Sequence, residues 1–168
     1  THIIASNINL AFLVVTLNNP PTSTTFIDRF LVTAEAYGIK TVLLFNKVDT
    51  YTEDELSEVK YLASIYRKAG YECIGISATT GKNIDKVKAT MEGKTCVVSG
   101  HSGAGKSTLI NAIAPLGDIV AVQSAVGLVG RVLFHEFALP AHTLLPILPR
   151  VVEVGNIETD ADGRTCHA

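Results

Sequence analysis

Residues 8–113 alternate between short apolar runs and longer stretches in which apolar positions recur every three or four residues. Ile8 to Thr16 (INLAFLVVT) is apolar and β-branched and stops at Asn18, Asn19, Pro20 and Pro21, as a buried strand entering a loop does. From Thr24 onward, Phe26, Ile27, Phe30, Leu31, Ala34 and Tyr37 trace one face of a helix that Gly38 should end. Thr41 to Phe45 (TVLLF) predicts a second buried strand. Thr52 then offers an N-cap oxygen, Glu53, Asp54 and Glu55 suit the positive end of a helix, and Leu56, Val59, Ala63 and Tyr66 mark its buried face as far as Gly70. Glu72 to Ile76 predicts a third strand, Asn83 to Met91 a short helix closed by Gly93, and Thr95 to Val98 a fourth strand. Such alternation predicts an α/β fold. A mostly parallel sheet is expected, joined by right-handed crossovers and covered by helices on both faces, with ligands at the carboxyl ends of the strands.

Beyond Pro115 the texture changes. Between Gly117 and Arg150 the charged residues are Asp118, Arg131, Glu136 and Arg150, glycines and prolines interrupt the apolar runs, and neither period persists. Residues 117–150 are therefore assigned to no element, and Thr159 to Ala168 reads as a solvated tail. The charge-free runs Ile119–Gly130 and Phe137–Pro149 fall short of the ~18 residues a spanning helix needs. No membrane helix is expected, and the first residues lack the basic start and apolar core of a secretion signal. With 168 residues, 47% of them hydrophobic, and a formal charge of −2, the chain is too apolar for global disorder and suits one domain over residues 1–168. Cys73, Cys96 and Cys166 are an odd set without metal spacing, which points to a reducing cytoplasm. The first two fall in strands and read as small apolar core residues. Near-neutral charge removes any general basicity toward nucleic acid.

Gly100-His101-Ser102-Gly103-Ala104-Gly105-Lys106-Ser107 fits G-x-x-x-x-G-K-[ST] and lies between the strand TCVV and the helix STLINAI, where a phosphate loop must lie. Glycines let the loop turn its N–H groups inward, so that they and the helix N-terminus, with Thr108 in its first turn, surround a phosphate. Lys106 would reach the β- and γ-phosphates, and the Ser107 hydroxyl would meet Mg²⁺. A chance match in a chain this long is about one in a hundred or less. The bland alternative is a glycine turn before a helix.

Asn46-Lys47-Val48-Asp49 follows the strand TVLLF and has the form N-K-x-D, which reads guanine. A carboxylate at Asp49 can accept from both N1–H and the 2-amino group, which adenine lacks, while the Lys47 stem lies along the ring. Ser77-Ala78, after ECIGI, resembles the S-A element whose backbone N–H meets guanine O6. An ordinary Asx-rich turn remains the alternative for Asn46 and Asp49.

The order of these motifs, base first and phosphate loop last, is that of circularly permuted GTPases. NPPTSTTFIDRF, FNKVD, ISATTGKNID and SGHSGAGKSTLINA resemble the ribosome small subunit-dependent GTPase family (RsgA/YjeQ) over about residues 3–115. The resemblance implies GTP binding and hydrolysis to GDP with Mg²⁺, stimulated by the small ribosomal subunit and its rRNA during late maturation. It implies a cytoplasmic protein, and a monomer is expected. The family also carries an OB-fold and a zinc-binding extension. Neither is expected in this chain, which starts too late for the first and whose tail pair Cys166 and His167 cannot complete four tetrahedral ligands for the second.

The family's G-x-H-T-T and D-T-P-G motifs are absent after Pro115. Gly130-Arg131-Val132-Leu133 stands near the first, and the second would fall in Leu144–Pro149 (LLPILP), which has no carboxylate. Asp160-Ala161-Asp162-Gly163 is formally D-x-x-G, which makes Asp160 a candidate Mg²⁺ ligand beside the reading of a solvated acidic turn. A guanine-nucleotide-binding module without hydrolysis is therefore carried as the alternative to a GTPase. A P-loop ATPase or kinase is disfavoured by Asn46 to Asp49. His101 is expected to face solvent or a neighbouring loop, and His135 and Glu136, adjacent on a strand, would point to opposite faces.

Overall fold

In the computed structural model, residues 8–113, 122–124 and 150–152 are described. Strand β1 is Leu10–Val15, helix α1 Thr24–Ala36, β2 Lys40–Phe45, α2 Glu53–Lys68, β3 Glu72–Gly75, α3 Ile84–Met91, β4 Thr95–Gly100 and α4 Lys106–Ile113. Two three-residue strands follow, β5 Val122–Ser124 and β6 Arg150–Val152. The sheet is parallel, in the order β3-β2-β1-β4-β5, with β6 also on β4.

Local chemistry starts the helices where the polar pattern predicted. Ser23 caps α1 by accepting from the Phe26 N–H at 3.2 Å. Thr52 and Glu55 form a reciprocal capping box on α2, with the Thr52 N–H donating to Glu55 Oε2 at 2.8 Å. The third helix begins one residue later than the pattern suggested. Asn83 takes a left-handed conformation (φ +59), and its side-chain amide donates to Gly75 O at 2.7 Å, tying the helix entry to the end of β3.

Period-two alternation along β1 sends Leu10, Phe12 and Val14 to one face and Leu13 and Val15 to the other. The first set packs with Ile84, Val87 and Met91 of α3 and Leu109 of α4. The second packs with Ile27 and Leu31 of α1 and Val59, Ala63 and Tyr66 of α2. Both faces are thereby covered, which is why β1 and β2 read as unbroken apolar runs. Each such side chain removed from water contributes about 1.5–3 kcal/mol against the entropy of ordering it.

The first strand starts at Leu10 and not Ile8, the second at Lys40 and not Thr41, and the third ends at Gly75 and not Ile76, while two further boundaries differ from the sequence reading for identifiable reasons. The first strand ends at Val15 because Thr16 turns into the next loop: its N–H donates to Thr22 Oγ1 at 3.1 Å, its hydroxyl to Pro20 O, and its carbonyl accepts from Thr22 N at 2.8 Å. The fourth continues to Gly100, which pairs with Val14 and Ser124. The strands β5 and β6 fall in or beside the segment that showed no period, and three residues are too few to display one. They lie along the same edge of β4, β5 against Val98–Gly100 and β6 against Thr95–Val97. Among the described residues no helix is long and apolar enough to cross a membrane.

Candidate functional site

The chain steps outward from β1 through β2 to β3, then returns to β4 on the other side of β1. A crevice at the carboxyl ends is expected where strand order reverses in this way. The turns after β1, β2, β3 and β4 all gather there, and together with Gly100 at the end of β4 and the first turn of α4 they carry every motif residue singled out in the described part of the chain.

Asn46 is the joint between them. It is 2% exposed, at the end of β2. Its amide Nδ2 donates to Ala104 O at 2.9 Å in the phosphate loop, and its Oδ1 accepts from the Ala78 N–H at 3.0 Å in the turn after β3. Its own N–H donates to Val15 O at 2.9 Å, and its carbonyl accepts from the Tyr51 hydroxyl at 2.9 Å. One side chain thus joins turns 32 and 58 residues away along the chain. The close approach requires glycine at position 105, since a Cβ there would overlap Asn46 Nδ2, and the backbone is left-handed (φ +96).

The rest of the base turn is equally fixed. Lys47 has φ +66, and its carbonyl accepts from the Thr50 N–H at 2.9 Å and the Thr50 hydroxyl at 2.8 Å. Its ammonium donates to Asn19 O. Val48 is buried, with its N–H donating to Ile76 O at 3.2 Å. Asp49 is exposed at the rim. Ser77 is fully buried and shapes its own turn: its Oγ accepts from Thr80 N at 3.1 Å and its carbonyl from Gly81 N at 2.9 Å. Because Asn46 already engages the Ala78 amide, a purine O6 reaching that donor would share it.

The phosphate loop leaves β4 at Gly100, where a Cβ would stand 2.7 Å from Val14 O, so only glycine lets the two strands stay in register there. Lys106 is 6% exposed, with its ammonium turned into the loop, donating to Gly100 O at 2.9 Å and His101 O at 2.7 Å. Ala104 is fully buried, while Ser102, Gly103, Ser107 and Thr108 are exposed. His101 meets a helix and not a loop: its ring lies 4.2 Å from that of Phe26 in α1, tilted by 36°.

Sequence reasoning missed Phe26, which read only as a helix-face residue, and Tyr51. The latter is 8% exposed, and its hydroxyl also accepts from the Leu17 N–H at 2.9 Å. Burial first, with smaller contributions from Glu55 and Asp49, raises its pKa against the Leu17 N–H, so it stays a donor at neutral pH. A signal for its burial was present: Tyr51 and Leu56 occupy the two positions of a hydrophobic staple around the Thr52 cap, and both belong to one apolar cluster.

Among the described residues no group of three His, Cys, Asp or Glu could hold a metal alone. Ser107, exposed in the first turn of α4, fits a cation only if phosphates supply further oxygens. Asp160, Cys166 and His167 lie outside the described residues. Cys73 and Cys96 are buried and unpaired, and burial pushes both thiols up to about 11, the behaviour of core residues.

Comparison with known proteins matches the chain to the RsgA GTPase family over residues 1–129. It is 74% identical over 119 residues to the small ribosomal subunit biogenesis GTPase RsgA of Christiangramia forsetii, covering 71% of this chain and 38% of the relative. It is 60% identical over 114 residues to the protein of that name in Flavobacterium johnsoniae, covering 68% and 35%. The chain thus spans under two fifths of the length of these relatives. Among solved structures, YjeQ from Thermotoga maritima matches with a TM-score of 0.63 and 43% identity, over 67% of this chain and 40% of that one. YloQ, described as a circularly permuted GTPase, matches with a TM-score of 0.58 and 34% identity, over 65% and 38%.

Proposed function

The chain belongs to the RsgA GTPase family, and from that premise we propose that residues 1–168 form one permuted domain that binds GTP and GDP with Mg²⁺ and hydrolyses GTP, with water as the nucleophile. The observation that carries this reading is the Asn46 joint, which brings a base-type turn and a phosphate-type loop to one crevice. Asp49, exposed at the rim, would accept from guanine N1–H and the 2-amino group, and the Lys47 stem would lie along the ring. Lys106 would exchange its two loop carbonyls for phosphate oxygens and stabilise charge on the transferred phosphoryl. Loop N–H groups from Gly100 to Ser107, with Thr108 in the first turn of α4, would hold the diphosphate by position rather than by covalent chemistry. Ser107 would hold Mg²⁺, which supplies charge neutralisation across the phosphates.

The names of its relatives support the small ribosomal subunit as the partner, and contact with its rRNA, a monomeric state and a cytoplasmic location belong to the same proposal. The family's zinc has no ligand set among the described residues. A second reading, a module that holds guanine nucleotide without hydrolysis, is favoured by LLPILP, which stands where D-T-P-G would fall and has no carboxylate.

Affinities for GDP and ADP, measured with Asp49→Asn alongside, test base choice. A GDP preference that the substitution abolishes is expected, and equal affinities unaffected by it would sink the guanine assignment. Single-turnover hydrolysis with and without small subunits separates the two readings, since phosphate release in neither case leaves only the binding module.

A further inference from the structure

Lys47 occupies a left-handed backbone conformation that a non-glycine residue keeps only where neighbours hold it. Its holders come from outside the N-K-x-D motif. Resting on the guanine reading above, we infer that Tyr51 is a positioning residue for base recognition: its buried hydroxyl fixes the Asn46–Lys47 peptide, and with it the aim of Asp49 and the Lys47 stem, without meeting the nucleotide.

The hydroxyl is satisfied on both sides. Its proton goes to Asn46 O, the carbonyl of the peptide that leads into the left-handed residue, and its oxygen accepts from Leu17 N–H. That second bond docks the loop after β1 onto the base turn. The same loop is held by Asn18 Nδ2 donating to Glu55 Oε1 at 2.7 Å, and it presents Asn19 O to the Lys47 ammonium. Tyr51 therefore sits where the two chain segments flanking the base meet. Asn46 O lies one residue past the end of β2, and there it takes the Tyr51 proton.

A core tyrosine with a merely structural hydroxyl is available for comparison in the same apolar cluster. Tyr66 is 6% exposed and donates to Asp28 Oδ1 at 2.9 Å, between α1 and α2 and away from the turn. Tyr51→Phe and Tyr66→Phe each remove one buried hydroxyl and keep the ring volume, so both chains should fold. The readout is the ratio of GDP to IDP affinity in the intact protein. IDP keeps N1–H and O6 but lacks the 2-amino group, so a turn that holds Asp49 loosely loses more with GDP than with IDP.

Tyr51→Phe is expected to cut the GDP-over-IDP preference by about three- to tenfold, the range for one lost hydrogen bond, while Tyr66→Phe lowers the melting temperature and leaves the ratio alone. An unchanged ratio in Tyr51→Phe, or an equal fall in Tyr66→Phe, would overturn the inference while leaving the guanine reading intact. Equal GDP and IDP affinities in the unaltered protein would overturn the guanine reading, and this inference with it.

Discussion

The base turn and the phosphate loop lie at neighbouring strand ends and are held by opposite means. Side chains brace the turn: Asn46, Tyr51, Thr50 and the Lys47 ammonium all bond to backbone of the surrounding loops. The loop, apart from the Asn46 amide it shares with the turn, depends on the absence of side chains, at Gly100 against Val14 and at Gly105 against Asn46, and on one lysine folded onto its carbonyls. The difference follows from the task. A planar purine edge needs donors and acceptors held at fixed angles, whereas a diphosphate needs room and inward N–H groups. A braced turn can discriminate, and an open loop can wrap.

Asn46→Ala attacks the one residue common to both, and the largest effect is expected there. It strips partners from the Ala78 N–H and Ala104 O, both buried, at a cost of about 2–5 kcal/mol. Urea denaturation should show that loss, and GDP and IDP affinities should fall together. A loss under about 1 kcal/mol would mean that the two regions are not joined through this side chain.

Lys106→Ala isolates the loop. Nucleotide affinity should drop by about 100-fold, the worth of two charge-assisted bonds, with the GDP-to-IDP ratio unchanged. A changed ratio would show that the loop also governs base choice.

Phe26→Ala probes the sole aromatic support recorded for the loop among the described residues, the stack under His101. Affinity should weaken by at most about tenfold, from a pair worth about 0.5–1.5 kcal/mol, again without altering base preference. Titration calorimetry reads both.

The smallest effect concerns the strands beneath. Cys73 lies on β3, paired with Leu43 of β2, and Cys96 on β4 below the loop, each raised from 9.0 to about 11 by burial. Both should resist iodoacetamide at pH 8 in the folded protein. An unfolded thiol releases its proton near 9 and the folded one near 11, so the thiols' contribution to stability is full below pH 9 and falls between 9 and 11. The urea midpoint should decline across that window, less so in Cys73→Ala/Cys96→Ala. Faster alkylation of Cys96 than of Cys73 would show that the strand under the loop opens more readily.

Much of this was legible in the chain. Short apolar runs located the four main strands because both sheet faces are buried, apolar periodicity located the first three helices because each buries one stripe, and the phosphate loop, with the helix after it, and N-K-x-D stood out because their chemistry demands particular residues at fixed spacing. Partners that bond through backbone were not legible. The pattern can place Tyr51 in a staple and Tyr66 on a helix face, but it does not tell where either hydroxyl goes, since the destination of a buried hydroxyl depends on which segment arrives opposite it. Thr16 read as the end of a strand because its hydroxyl's turn toward Pro20 leaves no trace in periodicity. Asn83 read as helical, although its side chain prefers the free carbonyl of Gly75.

The sheet order has a metric consequence. The strands carrying the two motifs, β2 and β4, are separated by β1 alone. Adjacent strands sit about 4.8 Å apart, so the two anchoring points stand about 10 Å from each other across the sheet. That gauge is set by backbone hydrogen bonding and not by any side chain. Substitution can blunt the grip at either end, yet the length of molecule that fits between them is cast in the pleat itself.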